Sequence, residues 1–456
     1  MQGFFDDLDE NDLDILDDME LPVVGGPAGG AGAAGARGAA EEEQNDGGRT
    51  VEKFYNFKVG QSVEEPGSKC LRIPGEDGSL SEYLVIKHKI GKGAFCKVQA
   101  ADVVVTRPGN AEGEQVKGVQ HMALKVFNKA SLRSSGTTDV DPVTGVGKLS
   151  NQLKTVMNEI KVWERVYHTG IVKIFELFDS PNENNMYLMM ELAQYGQIQT
   201  QNQGGAGPLL IPNQDILQVA TPKGKKIWPG DTCGDIEHAA KWIFWQVAVA
   251  MEYLHETMGI VHRDLKHENI LMGLKSPDPM NEDERQPTIK VCDFTTATVL
   301  PKDQPDARVQ LDAGTLAFNA PEQLNDADYL AKPLDVWAFG VSLYAYLTNS
   351  LPVGAEGSHQ DFVKDHNDAN FDDIVNNMDV TPDLKDLLKS ILNRNPQQRV
   401  TFPEILKSKW FAGRVDEVFS TEIDTYAQKK KADFLSLKPI IQEKAREYFN
   451  KDEHRD

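Results

Sequence analysis

The sequence predicts an α+β fold with two lobes, a small strand-rich lobe followed by a large helical lobe. From about Ser81, three short segments rich in β-branched residues follow one another, namely EYLVIKHKI, KVQAADVVV and HMALKVF, and this composition is typical of sheet strands. Later, AAKWIFWQVAVAMEYLHE is a long helical run, and beyond Asp335 the pattern is mostly helical. A cleft between two such lobes is a usual ligand site.

The segments between these elements complete the expected order. TRPGNAEGEQVKG is predicted as a long hairpin loop between the second and third strands. After Phe127, the polar stretch SLRSSGTTDVDPVTGVGK precedes LKTVMNEIKVWERV, whose apolar residues recur at helical spacing. IVKIFELFDS and NMYLMMEL predict two further strands, and a second polar insert, residues 199–234, leads into the long helix.

Composition limits the classes of partner. The formal net charge of −22 argues against nonspecific binding to nucleic acid or to an anionic membrane, because both require Lys and Arg to neutralise phosphates. No apolar run approaches the roughly 20 residues that cross a bilayer. The first residues, MQGFFDDLDE, lack the features of a secretory signal. We therefore expect a cytoplasmic protein and leave nuclear entry open.

Changes in composition along the chain suggest three regions. Residues 1–80 are expected to be largely disordered, since they contain the acidic segment GFFDDLDENDLDILDDMEL and the tract GGPAGGAGAAGARGAA. The acidic segment is either a docking peptide or a solubilising tail. Residues 81–411 are predicted to form one domain, with lobes at about 81–192 and 193–411. Residues 412–456 are predicted to be a partly helical tail.

A glycine-rich segment lies between the first two strands. In IGKGAFCKV, Gly91 and Gly93 leave room for the backbone to approach phosphate oxygens, although an ordinary glycine hairpin has the same pattern. The candidate nucleotide-binding residues here are Ile90, Gly91, Lys92, Gly93, Ala94, Phe95, Cys96, Lys97 and Val98.

A lysine within an apolar strand indicates a charge pair. MALKVF places Lys125 on an apolar strand, where a lone lysine would be costly to bury unless its ammonium were paired. Glu159, in the helix TVMNEIKVW, is the candidate partner, and such a pair holds the lysine against the α- and β-phosphates of a nucleotide. Taken alone, Glu159 also fits a solvated helix face.

The stretch VHRDLKHENIL carries the strongest chemical signal. It supplies Asp264 as a catalytic base, Lys266 as a counter-charge and Asn269 as a magnesium ligand, at the spacing that phosphoryl transfer uses. IKVCDF then places Asp293 at a strand end, where a carboxylate can hold magnesium against phosphates. GTLAFNAPE follows and closes the segment that receives a substrate peptide.

Together these motifs resemble the eukaryotic protein kinase family in order, residue type and spacing from Ser81 to Phe411. The resemblance implies the bilobal protein kinase fold and an ATP-dependent phosphotransferase that uses Mg2+ and acts on a protein substrate. Lys266 with Thr315 opposite resembles the serine/threonine pattern. The adenine pocket that the resemblance implies consists of Met190 as gatekeeper, Glu191 and Ala193 at the hinge, and Val98, Ala123 and Leu271 around the ring.

The same resemblance implies three structural roles. Asp335 would anchor the catalytic loop, and Glu322 would pair with Arg399. Four residues would stack between the lobes, namely Trp163, Ile174, His262 and Phe294.

Within the family, several segments resemble calcium/calmodulin-dependent protein kinase kinases, among them SPNENNMYLMMEL, AGTLAFNAPE and KPLDVWAFGVSLYAYL. That branch implies that the substrate is the activation-loop threonine of another kinase. It also implies calmodulin or another regulatory partner at the C-terminal tail, where KKKADFLSL has basic and apolar character. A tail helix docked on the domain is the alternative.

The chain departs from the family pattern at two positions. Cys96 replaces the third glycine of the phosphate loop, and Thr295 replaces the glycine after Asp-Phe, where a threonine resists the φ angles that glycine allows. A pseudokinase scaffold that binds nucleotide without efficient transfer is therefore the alternative. The four charge-handling positions are all present and favour the enzyme, namely Lys125, Asp264, Asn269 and Asp293.

The segment RVQLDAGT suggests how activity is regulated. It has no Ser or Thr just before Gly314, where activation-loop phosphorylation would place one, but it carries Asp312. We expect Asp312 to supply a standing negative charge to Arg263, and an exposed loop aspartate is the alternative.

Overall fold

The computed structural model describes residues 52–54, 57–63, 65–74, 80–93, 96–108, 115–134, 137–140, 147–150, 152–201, 210–213, 236–275, 286–301, 304, 306–309, 314–325, 328–354 and 358–412. The first half contains strands β1 (Glu52–Phe54), β2 (Lys58–Gln61), β3 (Lys69–Pro74), β4 (Leu80–Lys92), β5 (Cys96–Pro108) and β6 (Gln115–Asn128), helix α1 (Lys129–Ser134), strands β7 (Thr137–Val140) and β8 (Gly147–Ser150), helix α2 (Gln152–Glu164), and strands β9 (Ile174–Phe178) and β10 (Asn185–Glu191).

The second half is mainly helical. Its strands are short: β11 (Gly196–Gln197), β12 (Gln199–Gln201), β13 (Leu210–Pro212), β14 (Ile260–Val261), β15 (Ile270–Lys275), β16 (Gln286–Val291), β17 (Thr298–Val299), β18 (Arg308–Val309) and β19 (Tyr329–Leu330). Its helices are α3 (Ile236–Glu252), continued by a π-helical turn (Tyr253–Met258), then α4 (Pro321–Asn325), α5 (Lys332–Thr348), α6 (His359–Asp368), α7 (Phe371–Asn376), α8 (Pro382–Ile391) and α9 (Phe402–Leu406). Within the described residues, 3-10 turns span His267–Asn269, Leu316–Phe318 and Lys409–Phe411.

The small lobe is one curled sheet with the strand order β1-β9-β10-β6-β5-β4-β3-β2. β1 pairs in parallel with β9, while the pairs from β9 through to β2 are antiparallel. The first and last strands of this order are joined by residues 55–57 alone, so the sheet rolls up until its two edges adjoin. Rolling the sheet gives it an interior of its own.

Aliphatic and aromatic residues fill this interior. Phe57 is 3% exposed and meets Phe178 and Tyr187 edge-on, at ring distances of 5.7 and 5.9 Å. The interior cluster consists of Phe57, Leu71, Leu84, Ile86, Ala101, Val103, Met122, Leu124, Val126, Phe178, Tyr187 and Met189. Two of its residues, Phe57 and Leu71, come from the segment before residue 81.

The structure corrects the expected start of the ordered chain. Residues 1–80 were predicted to be largely disordered, but residues 52–74 form three strands of the sheet, and Cys70 and Leu71 on β3 are fully buried. This segment has no long apolar run. β2 and β3 pair with each other and β3 pairs with β4, but β1 pairs with β9, which lies far along the chain. Sequence periodicity cannot detect such non-local pairing. Residues 1–51, which include the acidic segment, lie outside the described residues.

The predicted hairpin loop and the two predicted polar inserts also contain regular structure. β5 extends to Pro108 and β6 begins at Gln115, so most of the predicted hairpin loop is paired strand. The stretch after Phe127 holds α1 and the β7–β8 hairpin, and in the second insert β12 pairs with β13. The predicted strands and helices between residues 81 and 411 and outside these inserts are present. The partly helical tail predicted at 412–456 lies, beyond Ala412, outside the described residues.

The large lobe is built around α3 and α5, which are buried along most of their length. A Cβ at Gly340 would lie 2.4 Å from Ile391, so only glycine allows α5 to pack this closely on α8. Arg399 pairs with both carboxylate oxygens of Glu322 at 2.7 and 3.0 Å, which confirms the predicted pair. Among the helices that the structure describes, none is long and apolar enough to cross a membrane.

A first prediction concerns the rolled sheet. Replacing Phe57 with alanine should lower the free energy of unfolding by about 3–5 kcal/mol, because the change removes a buried ring at the centre of the interior cluster. Val63, in the same segment, is 78% exposed, so Val63→Ala should change stability by less than about 0.5 kcal/mol. Urea unfolding measures both variants, and equal effects would show that Phe57 does not pack as described.

A second prediction concerns pH. His366 is 3% exposed, its ring lies against the rings of Trp337, Phe362 and Phe371, and burial together with Arg394 lowers its pKa to about 4. In the unfolded chain, the His366 ring takes up a proton near pH 6.5, whereas in the folded protein it does so only near pH 4. The stability that depends on a neutral His366 is therefore fully present above pH 6.5 and is lost as the pH falls towards 4. Between pH 7 and 5 the loss should be about 2 kcal/mol.

His366→Gln should remove that part of the pH dependence. Urea unfolding of both proteins at pH 7 and 5 measures the slope, independently of any constant loss of packing. The variant should keep the slope due to His168, whose pKa is also lowered to about 4, mainly by burial. Parallel slopes for wild type and variant would refute the assignment to His366.

Candidate active site

A buried ion pair connects the sheet to helix α2. Lys125 on β6 and Glu159 on α2 are both buried, and Lys125 Nζ lies 2.5 Å from Glu159 Oε1. Burial would lower the pKa of Lys125, but the carboxylates of Glu159 and Asp293 outweigh it and hold that pKa well above its ordinary value. The ammonium therefore stays charged inside the cleft.

Asp293, two residues after the end of β16, completes this charge cluster from the large lobe. Its Oδ1 lies 3.2 Å from Lys125 Nζ and accepts a hydrogen bond from the Thr295 hydroxyl at 2.6 Å. Burial would raise the pKa of Asp293, but Lys125 and Thr295 outweigh it and hold the pKa well below its ordinary value. A carboxylate that stays ionised and is 39% exposed can bind a cation.

A second cluster forms around Asp264. Lys266 Nζ lies 2.8 Å from Asp264 Oδ2, and the Thr315 hydroxyl donates to Oδ1 at 2.7 Å. Lys266 also donates to the Thr315 oxygen at 2.6 Å, so the three side chains form a closed ring of contacts. The Asn269 amide nitrogen donates to the Asp264 carbonyl oxygen at 2.8 Å, which leaves the Asn269 side-chain oxygen available for a metal ion.

The loop that carries Asp264 is held by a buried carboxylate on α5. Asp335 is 0% exposed and accepts hydrogen bonds from the backbone N–H groups of His262 and Arg263 at 2.8 and 2.7 Å. Burial would raise the pKa of Asp335, but His255, 2.8 Å away, outweighs it and keeps the pKa low. Arg263 has φ of +67°, which an L-residue adopts only when the surroundings enforce it. The predicted anchoring role of Asp335 is therefore present.

An aromatic stack joins the two clusters. Phe294 lies 5.4 Å from the ring of Trp163 on α2 and 5.2 Å from the ring of His262 on the catalytic loop. Ile174 is buried in the same core cluster. This stack connects the helix of the ion pair to the loop that bears Asp264.

The predicted adenine-pocket residues lie on neighbouring strands. Val98 on β5 is the register partner of Lys125 on β6, and Ala123, two residues earlier, is the partner of Met190 on β10. Leu271 lies on β15. At the end of β10, Glu191 Oε1 lies 2.9 Å from Lys290 Nζ, and Ala193 follows shortly after it. The strand register therefore places Val98, Ala123 and Met190 close to the level of Lys125.

The glycine-rich segment forms the turn between β4 and β5. Lys92 pairs with Lys97 and Gly91 with Val98, while Ile90 is 44% exposed. The Gly93 N–H donates to the Cys96 carbonyl at 2.9 Å, and a Cβ at Gly93 would lie 2.9 Å from Cys96 Sγ. Cys96 therefore fills the space beside Gly93, which the sequence alone did not indicate. Ala94 and Phe95 lie outside the described residues, as does Asp312.

Two functional contacts were missed by the sequence analysis. Lys290 is 2% exposed and lies between two buried apolar residues, Ile289 and Val291. A lysine between apolar residues is the kind of signal that identified Lys125, so its pairing with Glu191 was open to prediction. The hydrogen bond from Thr295 to Asp293 had no comparable signal, because the sequence marked Thr295 only as a departure from glycine.

The described side chains fit a magnesium nucleotide. Asp293 and Asn269 offer the oxygen ligands that Mg2+ prefers, and Mg2+ is commonly held by one or two carboxylates together with phosphates. The charged Lys125 faces the same space as Asp293, as a phosphate partner should.

Comparisons with known proteins agree with this geometry. A family model described as the protein kinase domain matches residues 84–411. A Dictyostelium discoideum protein named "Probable serine/threonine-protein kinase" is 27% identical over 340 residues, covering 73% of this chain and 38% of that protein. The serine/threonine-protein kinase ssp1 of Schizosaccharomyces pombe is 26% identical over 347 residues, covering 73% of this chain and 42% of that protein.

CBL-interacting protein kinase 25 of Oryza sativa subsp. japonica is 27% identical over 357 residues, covering 77% of this chain and 55% of that protein. The chain thus spans from about two fifths to about half of the length of these relatives. Membership of the matched family implies ATP and Mg2+ as general requirements. Because the family model covers most of the sequence, and includes both charge clusters, this chain belongs to the protein kinase domain family.

Proposed function

We propose that this chain is a serine/threonine protein kinase, which transfers the γ-phosphate of ATP to a serine or threonine hydroxyl of a protein. The observation that carries the proposal is the closed set of contacts among Asp264, Lys266 and Thr315, with Asn269 beside it. This set supplies a base, a cation and a metal ligand within one loop and its neighbour. The cluster of Lys125, Glu159 and Asp293 forms the part of the site that would bind the nucleotide phosphates.

Each side chain has a role that follows from its contacts. Lys125, kept charged by two carboxylates, neutralises phosphate oxygens and fixes their position. Asp264 accepts the proton of the substrate hydroxyl through a carboxylate that Lys266 and Thr315 orient. Lys266 adds positive charge where negative charge develops on the transferred group. Mg2+, held by Asp293 and Asn269, would neutralise the phosphates further.

A pseudokinase scaffold is less favoured. It was suggested by Cys96 and Thr295, but neither residue displaces a charged group: Lys125 remains paired with Glu159, and Asp293 remains ionised. A scaffold without transfer would need none of the contacts around Asp264.

We further propose that the substrate is the activation-loop threonine of another kinase. The support is the resemblance of SPNENNMYLMMEL, AGTLAFNAPE and KPLDVWAFGVSLYAYL to kinases of that upstream branch. Threonine peptides from several activation loops, compared with scrambled peptides of the same composition, test this. Equal turnover of both sets would refute the upstream role and leave the kinase activity standing.

A regulatory partner at the C-terminal tail is also a proposal, with calmodulin as the first candidate. The tail segment KKKADFLSL has the basic and apolar character of such a site, and residues 413–456 lie outside the described residues. The name of the rice relative states an interaction of that protein with CBL. Fluorescence anisotropy of the labelled tail peptide, titrated with calcium-loaded calmodulin, tests the candidate, and an unchanged anisotropy would exclude it.

A third prediction concerns Asp264, the proposed catalytic base. Asp264→Asn should lower kcat by about 10²–10⁴-fold, because the amide cannot accept the substrate proton, while ATP binding should change little. Asp365→Asn, an exposed aspartate on α6, is the matched control and should leave kcat unchanged. Radiolabelled γ-phosphate transfer to threonine peptides measures both. ATP binding without transfer by the wild-type protein would instead support the scaffold.

A fourth prediction concerns Thr315. Thr315→Val removes the hydroxyl that contacts both Asp264 and Lys266, so kcat should fall by about 10- to 100-fold with little change in the KM for ATP. Thr315→Ser keeps the hydroxyl and should retain most of the activity. Steady-state kinetics separates the two parameters, and equal kcat values for the valine and serine variants would contradict the role given to the hydroxyl.

A further inference from the structure

The residue after Phe294 makes a contact that glycine could not make. Thr295 Oγ1 donates to Asp293 Oδ1 at 2.6 Å, the same oxygen that Lys125 Nζ approaches at 3.2 Å. No donor within the described residues reaches Oδ2 of Asp293. The two carboxylate oxygens are therefore different: Oδ1 is held by protein donors, and Oδ2 is left for a cation.

The same hydroxyl lies close to a second carboxylate. Glu159 uses Oε1 for Lys125, while its Oε2 is buried and accepts no hydrogen bond within the described part of the chain. Burial raises the pKa of Glu159, and Thr295 is among the groups that act in the opposite direction. Two carboxylates thus share one ammonium, and the Thr295 hydroxyl gives one of them, Asp293, a neutral hydrogen-bond donor in addition.

The backbone around Thr295 is held on both sides. Asp293 has φ of +70°, whereas Thr295 is not among the described non-glycine residues with positive φ, so its branched side chain causes no backbone strain there. The Ala297 N–H donates to the Phe294 carbonyl at 3.0 Å, and the Thr296 hydroxyl donates to the His262 carbonyl at 3.0 Å. The unusual conformation of Asp293 therefore lies within a turn that its neighbours fix.

We propose that Thr295 is a positioning residue whose hydroxyl holds Oδ1 of Asp293, so that Oδ2 faces the metal ion and the Asp293–Ala297 turn stays in its metal-binding conformation before nucleotide arrives. The inference rests on the proposed kinase function for the identity of the ion, Mg2+. A carboxylate that is already oriented needs less reorganisation on binding, so the affinity for Mg2+ is higher than with a free side chain.

Three variants separate the possible origins of the effect. Thr295→Ser keeps the hydroxyl, Thr295→Val keeps the branched shape without it, and Thr295→Gly removes both. The first readout is the hydrogen-exchange rate of the Ala297 amide in the nucleotide-free protein. This amide is hydrogen-bonded to the Phe294 carbonyl only while the turn is formed. The second is the KM for Mg2+ at saturating ATP, compared with kcat.

If the hydroxyl holds the turn, the Ala297 amide should exchange about tenfold faster in Thr295→Val, and the KM for Mg2+ should rise about tenfold. A hydrogen bond to a charged group contributes a free energy that corresponds to a factor of about this size. Thr295→Gly should show at least the same change. Thr295→Ser should stay within about twofold of wild type in both readouts. kcat at saturating Mg2+ should change much less than the KM.

Two results would overturn the proposal. If Thr295→Val matched wild type and only Thr295→Gly changed, backbone stiffness rather than the hydroxyl would hold the turn. If Thr295→Ser were impaired while Thr295→Val matched wild type, packing of the methyl group rather than the hydroxyl would be the cause. Should the wild-type protein fail to transfer phosphate, the exchange rates and the binding of Mg2+ with ADP, measured by calorimetry, would still decide the role of Thr295.

Discussion

A buried lysine cannot remain charged without a partner, and the site depends on how Lys125 meets this requirement. Its ammonium lies between Glu159 on α2 and Asp293 after β16. One side chain of the sheet is therefore paired with both the helix and the large lobe. Removing either carboxylate would leave the ammonium undercompensated in a poorly solvated site. The pair therefore positions α2 and the end of β16 together, and the stack of Trp163, Phe294 and His262 extends this alignment to the catalytic loop.

The same physical solution recurs in the large lobe with the opposite charge. Asp335 is a fully buried carboxylate that is satisfied by two backbone N–H groups and His255. Because Asp335 belongs to the rigid helix α5, the backbone of His262 and Arg263 is fixed, even though Arg263 has a positive φ. The reactive side chains are thus held by buried charges that do not themselves react.

How much of this molecule can be predicted from its sequence depends on how far apart along the chain the interacting residues lie. Lys125, Asp264 and Asn269 were identifiable because a charge in an apolar strand and a fixed local spacing are visible in a few residues. The contributions of β1 to β3 were not, because β1 pairs with the distant strand β9 and Phe57 packs against Phe178 and Tyr187, which are also distant in the chain. Thr295 was visible as an exception, but its hydrogen bond depends on the conformation of Asp293, which no sequence pattern specifies.

Strands β1 to β3 at the two ends of the small-lobe sheet limit where the chain can be truncated. With residues 52–74 in place, β9 is covered by β1 and β4 by β3, so neither strand presents unpaired backbone groups at an edge. A fragment starting at residue 81 would expose both edges, together with the apolar side chains that Phe57 and Leu71 now cover. Exposed edges of this kind pair with other chains. Such a fragment would retain every charged residue of the site and still self-associate, so its insolubility would reflect an opened sheet rather than a defective kinase.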